Sequence, residues 1–240
     1  MNFNFVDTDL IQINDNLQLE ISTIPNTNLK ILTIDNFLKN PEDLQKIAYQ
    51  QTFEKNPENK NGSPGWISIS NLKFYQIATT AKYLSDNYFD IFHNNKINFQ
   101  FNLFEGGMPC KYTSILPHVD QSLCAFQIYL NNPEDSFGGT RFYRHIESGL
   151  EVNVEYIDSD FKKLESYWKF KNHYKEVNQN NYNTILDSRQ IDLSTWELIH
   201  EVEMKYNRFI MYPSYIFHSA YIEKEWYQEI KRIGLVGFLN

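Results

Sequence analysis

The second half of the chain consists of short segments in which apolar and polar residues alternate, and this pattern restricts its fold more than any other feature. Alternation with a period of two is typical of β-strands, because successive side chains point to opposite faces of a sheet. The segments with this pattern are KINFQFNLFE, YTSILPHVD, LCAFQIYLN, GGTRFYRH, EVEMKYNRFIMY, YIFHSAY and KRIGLVGFLN. Glycine, asparagine and proline separate them, as expected of turns. The sequence therefore predicts a mainly β fold.

Two helices are predicted before these strands. Asn40 and Pro41 supply a start signal for a helix that runs to about Gln51. Apolar residues at helical spacing predict a second helix over Ile77 to Phe92. We interpret this order of elements as a jelly roll supported by N-terminal helices.

The alternation breaks between Ile146 and about Ser194, which we interpret as an insertion between strands and not as a separate domain. A long segment on a rigid scaffold often contributes to substrate binding, and we expect this role here. We predict one domain over residues 1–240, with helical support over about 30–95 and a β core over 96–240 that contains the insertion.

Composition restricts the class of partner. The formal net charge of −8 is spread along 240 residues, which disfavours binding to nucleic acid or to an anionic membrane surface. Two cysteines are too few for a disulfide framework, and the first residues lack the pattern of a signal peptide. We expect a soluble, cytoplasmic protein that acts on a small molecule or a peptide. Composition leaves the oligomeric state open.

Two pairs of the form His-x-acid are candidate metal ligands. They are His118 with Asp120 and His145 with Glu147. With six histidines and 30 acidic residues in 240 positions, about one such pair is expected by chance. On a strand, residues two apart share a face and can reach one ion. His118 and Asp120 end an apolar strand segment, whereas His145 and Glu147 run into the insertion. We therefore favour the first pair.

A third ligand and a cation complete the candidate site. His218 lies in a later aromatic-rich strand segment, and Arg232 follows it by 14 positions. Two histidines and one carboxylate on one face of iron(II) leave positions open for a 2-oxo acid and dioxygen. A buried arginine can bind the distal carboxylate of that acid through two hydrogen bonds. A core histidine and a surface arginine are the alternative interpretations.

The chain resembles the iron(II)- and 2-oxoglutarate-dependent oxygenases, in particular the branch that contains the prolyl hydroxylases. Within that superfamily it resembles most a family of unknown function, domain of unknown function 6445. The resemblance covers roughly residues 30 to 240. It is carried by the segments DNFL, PHVD, IYLN, GGTRFY, YNRFIMYPSYIFHSA and KRIGLVGF.

This resemblance implies a double-stranded β-helix, a jelly roll of the cupin type, with iron(II) held by His118, Asp120 and His218. It also implies that Arg232 binds 2-oxoglutarate and that Tyr129 donates a hydrogen bond to it. The implied activity is hydroxylation of an amino acid, a peptide side chain or a small metabolite by a dioxygenase that uses O2. Two alternatives stay open. One is a catalytically inactive jelly-roll module for binding or sensing, and the other is a cupin-type metalloenzyme that does not use 2-oxoglutarate.

Overall fold

The computed structural model describes residues 10–55, 65–69, 72–89, 97–105, 117–120, 122–152, 193–223, 226–227 and 229–240. Its helices are α1 (Pro41–Tyr49) and α2 (Tyr75–Tyr88), with a short 3-10 helix at Pro133–Asp135. Its strands are β1 (Gln18–Thr23), β2 (Lys30–Asp35), β3 (Phe53–Lys55), β4 (Trp66–Ser68), β5 (Ile97–Glu105), β6 (Cys124–Tyr129), β7 (Gly139–His145), β8 (Trp196–Glu203), β9 (Phe209–Pro213), β10 (His218–Tyr221) and β11 (Lys231–Leu239).

The strands form two antiparallel sheets. The larger has eight strands in the order β1-β2-β9-β6-β11-β5-β4-β3, and the smaller has three in the order β10-β7-β8. Within the described residues the strands do not close into a barrel. The prediction of a mainly β protein with a few helices is confirmed, whereas the jelly-roll topology stays a prediction.

Strict alternation along the strands of the larger sheet creates two separate cores. In β9, Phe209 and Met211 belong to a core that includes the helices, which we call the helix-side core. Ile210 and Tyr212 belong to a core shared with the smaller sheet, which we call the inter-sheet core. Phe142 of β7 lies in this second core, with its ring centroid 5.0 Å from that of Tyr212. The sheets therefore pack face to face, and the helices cover the other side of the larger sheet.

Both helices lie near their predicted positions. Leu44 and Ala48 of α1, and Ile77, Ala81 and Leu84 of α2, are buried in the helix-side core. Burial of such an apolar stripe, and not helix propensity alone, holds short helices in place. Helix α1 starts at the predicted proline and ends two residues before the predicted end. Helix α2 starts two residues before its predicted start and ends at Tyr88, four residues before its predicted end.

The turn between β8 and β9 connects the two sheets and is fixed by Asn207. This residue has a left-handed backbone conformation (φ 59°), which asparagine tolerates better than most residues. Its side chain accepts a hydrogen bond from the N–H of Leu38 and donates one to the same residue's carbonyl, both at 2.9 Å. The next residue, Arg208, binds both carboxylate oxygens of Asp35. Arg208 is thus a structural ion-pair partner.

The remaining expectations are tested only in part. Region 30–95 contains α1 and α2 and also contributes β2, β3 and β4 to the larger sheet. Most of the predicted insertion, residues 153–192, lies outside the described residues, so its extent and role stay predictions. No helix of the described part of the chain is both long and apolar enough to cross a membrane.

Candidate metal centre

His118 and His218 are brought together by an isolated antiparallel bridge between residue 118 and the start of β10. The N–H of His118 donates to the carbonyl of His218 at 3.0 Å, and the reciprocal bond is 2.9 Å long. Directly opposed residues of an antiparallel pair project to the same face. The two imidazole ring centroids are therefore only 4.7 Å apart.

Asp120 joins these histidines because it lies two residues beyond His118 and shares its face. Its N–H donates to the carbonyl of Ser214 at 3.0 Å, which fixes the segment against the turn that leads into β10. One carboxylate oxygen lies 3.2 Å from Nε2 of His218, and the other lies 3.9 Å from Nε2 of His118. The three potential ligand atoms all lie within 4.8 Å of one another. Within the described residues no other group of histidine, cysteine and acidic side chains meets this spacing.

Hydrogen bonds orient this group for metal binding. Nδ1 of His218 lies 2.7 Å from the carbonyl of Ile216, which can only accept, so Nδ1 carries a hydrogen, and Nε2, which faces Asp120, is the nitrogen that a metal would take in place of a proton. Burial raises the pKa of Asp120. However, the charge and hydrogen bond of His218, with the charge of His118, outweigh burial, and the net pKa lies below the usual 3.8. The group therefore offers an ionised carboxylate and at least one oriented imidazole.

Arg232 lies on the face of β11 that points away from the helices, because Ile233 and Leu235 point into the helix-side core. It is 1% exposed. Nη2 donates to the carbonyl of Gly139 at 3.2 Å, and Nε lies 3.4 Å from the sulfur of Met204. Among the described residues no carboxylate pairs with it. A guanidinium buried without an anion is costly, and an incoming carboxylate would relieve that cost.

Tyr129 is fully buried beside this arginine, with Cζ of Arg232 5.7 Å from the centroid of its ring. Its hydroxyl is hydrogen-bonded to Oγ1 of Thr140 at 2.8 Å, which connects β6 of the larger sheet to β7 of the smaller. Burial raises the pKa of Tyr129 despite the opposing positive charge of Arg232. The phenol is therefore neutral.

Residues between these two groups were not identified from the sequence. Tyr212 of β9 packs against His218, with ring centroids 4.8 Å apart, and burial raises its pKa well above 10.0. Gln127 of β6 reaches over Gly234, where a Cβ would lie 3.0 Å from its Nε2. The alternation of β6 and β9 assigns Gln127 and Tyr212 to one face of their strands. Only the pairing of the strands places that face beside His118, Asp120 and His218.

His145, the alternative ligand from the sequence, and Arg141, an arginine of β7 next to β10, have partners elsewhere. Nδ1 of His145 lies 2.9 Å from the hydroxyl of Ser148, and its ring packs against Trp196. Arg141 pairs with Glu201 and stacks over the ring of Tyr221, with Cζ 3.2 Å from the ring centroid. These contacts give His145 and Arg141 structural roles in the described part of the chain.

The two sheets and the histidine–carboxylate group define a mainly β protein with a candidate metal centre. A model of the family described as "Family of unknown function (DUF6445)" matches residues 15–229. The chain therefore belongs to this family.

Other comparisons add little to the family assignment. No curated protein matches the chain. Among solved structures, the chain is similar to "Crystal structure of IDO from Bacillus thuringiensis", with 13% sequence identity and a TM-score of 0.35. The aligned region covers 69% of this chain and 56% of that chain, so this protein spans little more than half of the solved one. A likeness this distant carries no argument about activity.

Proposed function

We propose that the protein is an iron(II)- and 2-oxoglutarate-dependent dioxygenase that hydroxylates an amino acid, a peptide side chain or a small metabolite. The observation that carries the proposal is Arg232, a buried cation without a carboxylate partner among the described residues. Arg232 contacts Gly139 at the start of β7, and His218 of the histidine–aspartate group pairs with Phe142 of the same strand. A metal centre alone gives no reason to bury such a cation, whereas a dicarboxylate ligand does.

The donor set fits the proposed metal. His118, Asp120 and His218 offer two imidazole nitrogens and one carboxylate oxygen, the set with which proteins hold non-haem iron(II) while leaving positions open. When bound, iron(II) would let dioxygen accept two electrons from 2-oxoglutarate, which becomes succinate and carbon dioxide, and two from a C–H bond, which becomes C–OH. The hydrogen bond from Nδ1 of His218 to Ile216 would keep its other nitrogen directed at the ion.

The remaining residues would bind and orient the cosubstrate. Arg232 would pair with the distal carboxylate through a bidentate contact, and Tyr129 would add a neutral donor. The apolar inter-sheet core around them, which includes Phe142 and Ile210, would exclude water and strengthen these contacts. Holding the cosubstrate in one orientation lowers the entropic part of the reaction barrier.

We also propose that the two sheets are the halves of a double-stranded β-helix of the cupin type. Support comes from the way the chain passes back and forth between the sheets after β5, with β7 and β8 as the one consecutive pair in the same sheet. Strands β6, β9 and β11 join the larger sheet, and the bridge at His118 with β7, β8 and β10 joins the smaller one. All their pairings are antiparallel, as in jelly rolls.

Two other functions are weighed against this proposal. A catalytically inactive jelly-roll module for binding or sensing has no need of both a complete ligand set and a buried arginine. A cupin-type metalloenzyme that does not use 2-oxoglutarate accounts for the ligands but not for Arg232. The proposal includes a cytoplasmic location and a small-molecule or peptide substrate, without nucleic acid or membrane partners.

The test is the conversion of 2-oxoglutarate to succinate by the purified protein with iron(II), dioxygen and a reductant. Slow turnover without substrate is expected, and a set of amino acids, peptides and metabolites is then screened for acceleration. His218→Ala should abolish succinate formation, whereas His145→Ala should not. If iron binds tightly but no succinate forms with any compound, the cupin-type alternative is favoured. If no iron binds, the binding module is favoured.

A further inference from the structure

Tyr212 is placed at the metal centre by the alternation of β9. Phe209 and Met211 point into the helix-side core, so Ile210 and Tyr212 point toward the smaller sheet. Tyr212 is 6% exposed. It is followed closely by Ser214, whose carbonyl accepts the hydrogen bond from Asp120. Strand β9 therefore places Tyr212 beside the candidate metal ligands.

Packing fixes the ring of Tyr212 in one orientation. Its centroid lies 4.8 Å from that of His218 at an interplanar angle of 61°, and 5.0 Å from that of Phe142 at 83°. Both are edge-to-face contacts of the kind that aromatic rings favour. A ring held on two sides has little freedom to direct its hydroxyl elsewhere.

The hydroxyl of Tyr212 differs from those of the other buried tyrosines. Tyr129 is bonded to Thr140, Tyr143 to Ser219 and Tyr227 to the carbonyl of Phe137. Among the described residues, Tyr212 has no hydrogen-bond partner. Its hydroxyl is not among the fully enclosed polar atoms of the described residues that lack a partner, so a ligand or water can reach it.

Strand β7 connects this tyrosine to the arginine. Phe142, which packs against the ring of Tyr212, pairs with His218, and Gly139 of the same strand accepts the hydrogen bond from Arg232. Tyr212 and His218 therefore lie beside the middle of a strand whose first residue contacts Arg232.

We propose that Tyr212 donates a hydrogen bond to an oxygen of the 2-oxo acid that lies between the metal residues and Arg232. The inference rests on the proposed function. The ligand class is a dicarboxylate with a keto group. Arg232 requires an anion at one end of this ligand, and a metal held by His118, Asp120 and His218 requires oxygen donors at the other end. Tyr212 would be a third contact, independent of Arg232 and Tyr129.

The test compares Tyr212→Phe with the wild type and uses 2-oxoglutarate binding as the readout. Phenylalanine keeps both edge-to-face ring contacts and removes only the hydroxyl. Calorimetric titrations are made without dioxygen, first with manganese(II) as the metal probe and then with 2-oxoglutarate added to the manganese-loaded protein. We expect the Kd for 2-oxoglutarate to rise about 10-fold or more, the effect of losing one hydrogen bond to a charged acceptor. The Kd for manganese(II) should stay within about 2-fold, since no ligand atom is removed.

Tyr143→Phe is the matched control. Tyr143 is 4% exposed and belongs to a different apolar cluster, with Trp196 and Phe217. Removing its hydroxyl should leave both dissociation constants unchanged. Thermal unfolding with and without 2-oxoglutarate gives a second measurement, and the stabilisation by ligand should shrink only in Tyr212→Phe.

Three results overturn the inference, and they are distinguishable. Equal 2-oxoglutarate affinity in Tyr212→Phe and wild type removes Tyr212 from the ligand while leaving the proposed function intact. Equal weakening of manganese(II) and 2-oxoglutarate binding assigns Tyr212 to support of His218 alone. A wild-type protein that binds manganese(II) but not 2-oxoglutarate overturns both the inference and the proposed function.

Discussion

His118 and His218 lie directly opposite each other and exchange both backbone hydrogen bonds, although one hundred positions separate them in the sequence. The candidate metal centre therefore depends on the register of a single bridge. A slip of one residue would turn one imidazole to the other face of the sheet. The bond from the N–H of Asp120 to the carbonyl of Ser214 adds a second fixed point, which opposes such a slip.

Removing either histidine should remove the metal. We expect His118→Ala and His218→Ala each to weaken iron(II) binding by more than about 100-fold, because each removes one of three ligands. Anaerobic metal titration measures the loss. His145→Ala is the control, since its ring nitrogen already bonds Ser148. If His145→Ala loses iron(II) binding and the other two variants keep it, the metal site lies at His145 and Glu147 instead.

Arg232→Ala should weaken 2-oxoglutarate binding far more than iron binding. The lost bidentate contact to a carboxylate is worth on the order of 2–5 kcal/mol. Titration of 2-oxoglutarate into metal-loaded protein provides the measurement. Arg141→Ala serves as control, because Arg141 is already paired with Glu201. Equal affinity in wild type and Arg232→Ala would take this arginine out of the ligand site.

Gly237→Ala should destabilise the fold. A Cβ at this position would lie 2.1 Å from Cζ of Phe126, whose ring packs on Phe99 and Phe209. Overpacking of this kind costs about 1–3 kcal/mol or more. Urea unfolding measures the change. Gly234→Ala is the comparison, and we expect a smaller loss there because its Cβ would meet the amide of Gln127 and the carbonyl oxygen of Ile128 at 3.0 Å, a much milder overlap than 2.1 Å. An equal or smaller loss for Gly237→Ala would show that the Phe126 ring moves freely.

Asp35→Asn should lower stability at neutral pH and not in acid. Hydrogen bonds from Arg208 are the largest cause of the lowered pKa of Asp35, against an opposing effect of burial. A carboxyl with a lowered folded-state pKa stabilises the protein above its ordinary value of 3.8, and this contribution is lost as the pH falls through the lowered pKa. Because 42% of the side chain is exposed, we expect a difference below about 1 kcal/mol.

The measurement for Asp35 is urea unfolding of both proteins at about pH 7 and about pH 3. The difference between wild type and Asp35→Asn should shrink at the lower pH. Asp43→Asn is the control, because Asp43 pairs with Lys46 at the surface. A difference for Asp35→Asn that is independent of pH would assign its effect to packing and not to charge.

Local pattern predicted strands at β10 and β11, which carry His218 and Arg232. Most of the predicted strand YTSILPHVD lies outside the described residues, and its described part forms only the bridge at His118. The two-residue spacing of His118 and Asp120 predicts a shared face, and alternation in β6 and β11 predicts which residues point away from the helices. Strands β3 and β4 have three residues each and were not predicted, because such short segments carry too little alternation. Their strand conformation depends on pairing with each other and with β5.

The contacts of Tyr212 and Thr140 could not be predicted for a different physical reason. Thr140 meets Tyr129 only because two separate sheets pack face to face. Tyr212 meets His218 across the same interface. Periodicity assigns a side chain to a face of its own strand, but it contains no information on which strand of the other sheet covers that face.

Strand β11 is the last of the sequence but lies inside the larger sheet, between β5 and β6. A chain is synthesised from its N-terminus, so β5 and β6 emerge before β11. The edges of β5 and β6 that pair with β11 therefore stay unpaired until β11 is made. Open edges attract strands of other chains. Before β11 is made, His118, Asp120 and His218 have been synthesised and Arg232 has not. The nascent chain therefore contains all three candidate metal ligands before Arg232, and the edges of β5 and β6 are open to misassembly during that interval.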